Sequence, residues 1–302
     1  MRILVTGAGG FLGQHLLPRL WEKHTVHALY HNPPVTESKS QFSLADVRDF
    51  AAMQSIFRSF KPELVLHLAG ITAVSHALAL TEKDVHDINV KASGSLAALC
   101  AEHGAKMIYA STDLVYNGSA GGNLREDAPL NPLSLYASTK LEGEAAVQAA
   151  CDDYLILRIA LMYGFSKGKL KAFFQEAYNK IKNGEEVVLF RDQYRSSLLV
   201  NDGARMLTEL TGLMENGRNI PHKFLNFGSG ERTSRAELFL KFVRRAGLDE
   251  AAVVLKSFRE LPNLPQVEDV SLDISRLLSC GVAPLSVDES IDVVVRELEK
   301  GF

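Results

Sequence analysis

Short, almost wholly apolar runs alternate with amphipathic stretches along the first half of the chain. Residues 2–7 (RILVTG) read as a buried strand, and residues 10–23 (GFLGQHLLPRLWEK) as a helix that begins in glycines. Residues 25–31 (TVHALYH) read as a second strand, and 63–70 (ELVLHLAG), 106–112 (KMIYAST) and 154–161 (YLILRIAL) continue the series. Helical periods lie between them, as in 84–104 (DVHDINVKASGSLAALCAEHG). Near-continuous apolar strands, each followed by a helix, predict an α/β fold on a parallel sheet covered on both faces. After residue 164 the rhythm changes: 190–200 (FRDQYRSSLLV) has no clear period, and 261–270 (LPNLPQVEDV) is extended and broken by prolines. Residues 1–164 are expected as a large domain to which 198–228 return, and residues 165–197 and 229–302 as a smaller one.

Composition narrows the class. At 302 residues, 46% hydrophobic and 23% charged, the chain can bury the core of a large globular protein. A formal net charge of −3 offers no basic field for nucleic acid. No apolar run approaches the roughly 18 residues that span a bilayer, and MRILVTGAGG enters a strand with no leader pattern. The three cysteines, Cys100, Cys151 and Cys280, are scattered and paired with no histidine at a ligand spacing. A cytoplasmic protein without a metal site, a membrane or a nucleic-acid partner is expected; homodimerisation is left open.

Gly7, Gly10 and Gly13 fall at the end of the first strand and the head of the first helix. Phosphate binds at such a helix head through free N–H groups and the helix dipole, and glycine lets the backbone approach it. The spacing is Gly-x-x-Gly-x-x-Gly rather than Gly-x-Gly-x-x-Gly, and no Gly-Lys-Ser/Thr follows, which disfavours an ATP loop. A dinucleotide is expected against Gly7, Gly10, Phe11, Leu12 and Gly13, hence a Rossmann-type doubly wound sheet with a smaller C-terminal substrate-binding domain. The second strand ends in Tyr30, His31 and Asn32, with neither an acid for a ribose 2′-hydroxyl nor an arginine for a 2′-phosphate. The missing acid favours NADP(H) over NAD(H). His31 either contacts that phosphate or is an exposed loop histidine. Asp46 either accepts from the adenine amino group, with Val47 supplying backbone, or caps the helix that follows.

Residues 106–112 bring Ser111, Thr112 and Asp113 to a strand's carboxyl end, where ligands gather in open α/β sheets. After a polar loop, Tyr136 opens a helical stretch, and Lys140 lies one turn on and on the same face. Spacing alone decides nothing, because Tyr163/Lys167 and Tyr178/Lys182 repeat it. Those two fall at a glycine-rich loop and in a lysine-rich helix expected to be solvated. Reducing a ketone by hydride transfer needs a proton donor, and a free tyrosine, with a pKa near 10, serves only when a nearby cation lowers it. Thr112, Tyr136 and Lys140 are the expected catalytic trio, with Thr112 holding the substrate oxygen.

These segments resemble the extended short-chain dehydrogenases/reductases: TGAGGFLG (6–13), DVRD (46–49), HLAG (67–70), STDLVYNG (111–118), YASTKLEGE (136–144) and LRIALMYG (157–164). Within that family the chain is most similar to the dTDP-4-dehydrorhamnose reductases. The resemblance implies cofactor contacts from Gly7, Gly10, Gly13, Asp46, Val47, Leu68, Ala69 and Gly70. It also implies that Asn89 supports Lys140; otherwise Asn89 is a polar surface residue. The implied activity is reduction, with NADPH or NADH, of a keto group on a nucleotide-activated deoxysugar. The pattern is not complete. Tyr194 and Ser197 stand where those reductases carry Gly and Pro-Thr, and no Arg-Pro precedes SLD (271–273). Leu114 replaces the glutamate of related dehydratases, so dehydration is not expected. Sugar 4-epimerisation remains an alternative. So does an NADP-binding regulatory role, since the β subunit of methionine adenosyltransferase resembles the same reductases.

A nucleotide sugar brings a diphosphate that calls for forked cations. Arg191 and Arg195 are the candidates, with Lys169 and Lys171 behind them, while Thr112 and Asp113 face the sugar. Phe173 and Phe174 either stack on the base or belong to the core.

Overall fold

The structure, a computed structural model, describes residues 1–32, 41–119, 121–166, 172–218, 220–260 and 267–301. Seven parallel strands form its central sheet: β1 (Arg2–Thr6), β2 (Thr25–Tyr30), β3 (Gln41–Leu44), β4 (Leu64–His67), β5 (Lys106–Thr112), β6 (Tyr154–Ile159) and β7 (Phe224–Phe227). Their spatial order is β7-β6-β5-β4-β1-β2-β3. The chain starts mid-sheet, winds outward to β3 and crosses back to β4. That reversal opens a crevice at the carboxyl ends of β1 and β4.

The long helices are α1 (Phe11–Leu20), α2 (Phe50–Phe60), α3 (Ala92–His103), α4 (Leu135–Ala150), α5 (Phe173–Lys182), α6 (Val200–Glu215), α7 (Arg235–Arg245) and α8 (Val287–Glu299). Side chains of a strand alternate between faces, so β1 sends Ile3 and Val5 one way and Leu4 the other. Ile3 and Val5 share a core with Leu12 and Leu16 of α1 and Leu207 and Leu210 of α6. Leu4 shares one with Met53 and Phe57 of α2, Leu96 and Leu99 of α3, and Val147 of α4. The sheet is therefore doubly wound, as its apolar strands predict.

A third core lies beside the sheet, where Phe174 and Tyr178 of α5 meet Phe239 and Phe242 of α7 and Ile291 and Val294 of α8. The Phe174 and Phe242 rings are 4.7 Å apart between centroids, a contact worth about 0.5–1.5 kcal/mol beyond its area. Residues 198–228 supply α6 and β7 to the sheet layers. Within the last part of the chain, Val270, Leu272, Ile274 and Leu277 also pack into the sheet's core rather than the third one.

The helical pattern at 84–104 is interrupted. A short helix, Glu82–His86, passes through a π-helical turn, Asp87–Lys91, before α3. There the Ala92 N–H bonds the carbonyl of Asp87, five residues back. Helix α4 crosses this turn at Gly143, where a Cβ would lie 2.5 Å from the Asn89 carbonyl oxygen and overlap the Tyr109 hydroxyl. Gly143→Ala is therefore expected to cost about 1–3 kcal/mol by overpacking, read as a lower midpoint in urea. An unchanged midpoint would mean that the crossing has room for a methyl group.

Candidate active site

The loop from β1 to α1 is shaped by what will not fit there. Gly7 sits at φ 67°, and a Cβ on it would lie 2.6 Å from the Ala69 nitrogen and 2.7 Å from the Leu68 carbonyl carbon. A Cβ on Gly13 would lie 2.5 Å from the Gly7 carbonyl oxygen. The loop thus presses against residues 68–70, and α1 packs against the loop. Gly10 caps α1 without a side-chain bond, and the first turn carries no acid, so nothing shields the helix's positive end. Leu12 is buried in the core, which leaves only its backbone to meet a ligand.

At the other end of the crevice, exposed His31 brings Nδ1 to 3.8 Å from Asp46 Oδ2. Asp46 is gripped by Arg48, with Nη2 at 2.8 Å and the Arg48 N–H at 2.8 Å. That grip holds the Asp46 carboxyl below its usual range. Asp46 does not cap α2; Asp49 does, accepting from the Ala52 N–H at 3.0 Å. Val47 is half-buried against the second core. The stretch 30–32 itself holds no arginine; Arg48 reaches this end of the crevice from beyond β3.

Ser134 caps α4 by accepting from the Ala137 N–H at 3.2 Å, and the helix turns Tyr136, Lys140, Glu144 and Val147 inward on one face. The Tyr136 phenol lies beside the Thr112 side chain. Thr112 Oγ1 donates to Asp113 Oδ1 at 3.2 Å. Burial pushes Tyr136 up to about 12, with the Thr112 side chain opposing and the Asp113 charge assisting. Burial pushes Lys140 down to about 7, opposed by Glu144. The Lys140 ammonium sits 4.1 Å from the centroid of the Tyr109 ring. A Cβ on Gly70 would lie 3.7 Å from Lys140 Nζ and 3.0 Å from Asn89 Oδ1. The trio and the glycine loop therefore border the same 68–70 segment and share one crevice.

Asn89 is interior, not a surface residue. Its Oδ1 accepts from the Ile71 N–H at 2.8 Å, and its amide donates to Thr139 at 3.1 Å. Its carbonyl accepts from Ser93 Oγ at 2.8 Å. His67, kept neutral because burial lowers it to about 3, joins Thr6 at 2.7 Å to Ser93 at 3.0 Å. Beneath the trio, Glu144 pairs with Arg158 at 2.9 Å in full burial. His67, Glu144 and Arg158 were not singled out from sequence; the step of four from Lys140 to Glu144 was the available signal.

On the substrate side the two candidate arginines separate. Arg195 is buried beside Asp113, its Nε 3.9 Å from Oδ2. Arg191 is exposed and not brought to the trio: its N–H bonds the Lys256 carbonyl at 3.1 Å, extending the ladder of Val187–Phe190 with Val253–Lys256. Lys167, Lys169 and Lys171 lie outside the described residues. Phe174 is core, while Phe173 is exposed at the head of α5. Tyr163 and Tyr178, the rival tyrosines, are buried in the third core, and the helix bearing Tyr178 is not simply solvated. Among the described residues, no cluster of three or more His, Cys, Asp or Glu is placed to hold a metal, and no helix is long and apolar enough to cross a membrane.

The family described as RmlD substrate binding domain matches residues 1–284. The chain belongs to that family, and with it to the extended short-chain dehydrogenases/reductases. Methionine adenosyltransferase 2 subunit beta of Xenopus laevis is 30% identical over 213 residues, a match spanning 70% of this chain and 62% of that protein's length. The dTDP-4-dehydrorhamnose reductase of Aggregatibacter actinomycetemcomitans is 27% identical over 229 residues, 75% of this chain and 72% of that one. The crystal structure of a dTDP-4-dehydrorhamnose reductase from Clostridium acetobutylicum superposes with a TM-score of 0.83 at 25% identity, covering 99% of this chain and 100% of its own.

The lowered Lys140 makes a prediction about stability. Between about 7 and the ordinary lysine value the unfolded chain holds this proton and the folded one does not, so the contribution to stability is full above that window and is lost as pH falls through about 7. Urea unfolding of wild type and Lys140→Met at pH near 7 and near 9 should show wild type gaining about 1–3 kcal/mol on the variant at the higher pH. A difference that does not change with pH would mean Lys140 stays charged throughout.

Proposed function

We propose that the protein is an NAD(P)H-dependent reductase of a keto group on a nucleotide-activated deoxysugar, with Tyr136 as proton donor. The observation that carries this reading is the gathering of buried Thr112, Tyr136 and Lys140 at the crevice that the glycine loop borders. The loop suits a dinucleotide: its contacts leave no space for a Cβ at Gly7 or Gly13, and α1 opens toward the crevice with no competing acid. Gly7, Gly10, Gly13 and the backbone of Phe11 and Leu12 would hold the pyrophosphate, Asp46 and Val47 the adenine, and Leu68, Ala69 and Gly70 the middle of the molecule. When bound, the dinucleotide supplies the hydride.

The chain's own residues handle the oxygen and its proton. Thr112 turns its hydroxyl proton from Asp113 to the carbonyl oxygen and holds it by a hydrogen bond. Tyr136 is protonated at neutral pH because burial raises it, and it gives its proton to that oxygen as negative charge develops there. Lys140 holds the nicotinamide ribose and stabilises the phenolate left behind. Asn89 fixes the 70–71 backbone against α4. The lobe built on the third core would receive the nucleotide sugar, with Arg195 facing its anionic part. NADP(H) is favoured over NAD(H), since β2 ends without a carboxylate and Arg48 stands near His31. A cytoplasmic setting fits three cysteines that form no disulfide.

The similarity to methionine adenosyltransferase 2 subunit beta favours a second reading, an NADP-binding subunit that acts through a partner enzyme. An assay of NADPH and NADH oxidation with a dTDP-4-keto-6-deoxysugar separates the two. Tyr136→Phe is expected to lower turnover by roughly 10²–10⁴ while cofactor affinity holds; full activity in that variant would sink the assignment. His31→Asp should shift preference toward NADH by roughly tenfold, the worth of one charge-assisted hydrogen bond. An unmoved preference would mean the ribose is read elsewhere.

A further inference from the structure

His15 stands where the helix of the glycine loop meets the lobe built on the third core. It lies one turn into α1, and its Nε2 is 2.9 Å from the carbonyl oxygen of Phe165. A carbonyl oxygen only accepts, so Nε2 carries a proton and donates it. Phe11, the first residue of α1, meets the His15 ring edge-on, with centroids 5.8 Å apart and planes at 89°. The imidazole is thus braced by the head of the helix while its donor reaches out of α1.

The acceptor belongs to a segment with little slack. Gly164 sits at φ 129°, and a Cβ on it would lie 3.1 Å from Val200 Cγ1, 3.2 Å from Leu199 Cδ1 and 4.0 Å from Phe11 Cζ. The chain is therefore wedged here between the heads of α1 and α6. Phe165 then sends its ring into the third core, with centroids 5.4 Å from Tyr178, 5.9 Å from Phe174 and 6.3 Å from Phe242. Ser166 grips the same lobe again. Its N–H and its hydroxyl both donate to Gln175 Oε1 of α5, at 3.0 and 2.7 Å. Three consecutive residues thus lead from α1 to α5 and α7.

We propose that His15 is a positioning residue that passes occupancy of the dinucleotide seat on to the lobe that receives the nucleotide sugar. The inference rests on the reading of the glycine loop as that seat. An anion on the free N–H groups of the loop and helix head restrains α1 at that end. Phe11 and His15 carry the restraint to Phe165, and the Phe165 ring and Ser166 carry it into the third core. A ligand that orders a segment lowers the ordering cost for the next ligand that uses it. The nucleotide sugar therefore binds more tightly once the dinucleotide is in place, and by linkage the reverse holds by the same factor. One hydrogen bond sets the scale, roughly two- to tenfold.

Amide hydrogen exchange with and without saturating NADPH, on wild type, His15→Ala and His15→Gln, reads this transmission without the sugar nucleotide. In wild type NADPH is expected to slow exchange in the loop at 7–13 and also in α5, the latter by roughly two- to tenfold. His15→Ala should keep the slowing at 7–13 and lose it in α5. His15→Gln, whose amide can still donate to Phe165, should restore it in part. An imidazole that only fills space would loosen α5 equally with and without NADPH and leave the NADPH-dependent slowing intact; that result overturns the proposal. Slowing confined to 7–13 in wild type overturns it as well while keeping the seat. No slowing at 7–13 overturns it on separate ground, because the dinucleotide reading of the loop then falls with it.

Discussion

Glu144 and Arg158, 1% and 3% exposed, lock together in the interior through bonds of 3.1 and 2.9 Å, and the geometry of the crevice depends on that pair. Two charges are stable there only because their remaining bonding capacity is met. Ser111 donates to Glu144 at 2.5 Å, and Arg158 reaches the Tyr116 hydroxyl at 2.9 Å and the Glu126 carbonyl at 2.8 Å. Removing either partner from such a pair typically costs about 3–5 kcal/mol. The pair also sets orientation. Glu144 lies one turn beyond Lys140, which lies one turn beyond Tyr136, so anchoring it to β5 and β6 fixes the rotation of α4 about its axis. With that rotation fixed, the phenol arrives at Thr112 on the neighbouring strand end.

The same network reaches further than the trio. Tyr116 donates to Asn226 Oδ1 at 3.0 Å, and the Asn226 amide donates to the carbonyls of Leu124 and Asp273 at 2.7 and 2.9 Å. Strand β7, the loop after β5 and the late segment around Leu272 are thereby tied to one buried centre. Arg195 and Thr233 face each other across one short antiparallel ladder, so this side of the crevice is assembled by segments that join the sheet to the third core. A site built at such a joint draws its catalytic groups from rigid strand and helix ends, and its substrate groups from connecting pieces that can vary.

What was legible in the sequence follows from range. Gly7 and Gly13 announce a tight loop because their spacing falls within one short stretch, although what crowds Gly7 is the distant backbone of Leu68 and Ala69, and the apolar runs of β1, β4, β5 and β6 announce a sheet buried on both faces. Tyr136 and Lys140 stand out once the strand ending at Thr112 is recognised. The edge strand β3 is short, with Phe42 and Leu44 facing solvent, and signals little. Asp46 and Asp49 look alike as caps, and only the position of Arg48 separates them. Arg191 and Arg195 look alike as anion ligands, four residues apart in an irregular stretch, yet different ladders send one to solvent and the other inward. The pairing of Arg195 with Thr233 joins stretches far apart along the chain and leaves no mark in either of them. The π turn at Asn89 has no pattern of its own inside a helical period.

The Tyr109 ring beneath Lys140 determines how that cation is used. A carboxylate in its place would neutralise the ammonium and consume one of its N–H donors. An aromatic face attracts the charge through its quadrupole and accepts it without doing either. Among the described residues no hydrogen bond ties Lys140 Nζ, so its full valence of donors is directed at whatever enters the crevice. The protein thus rests the Lys140 amine against a soft, non-competing surface, and under the proposed reading its donors are left for a ribose and its charge, when it carries the proton, for a phenolate.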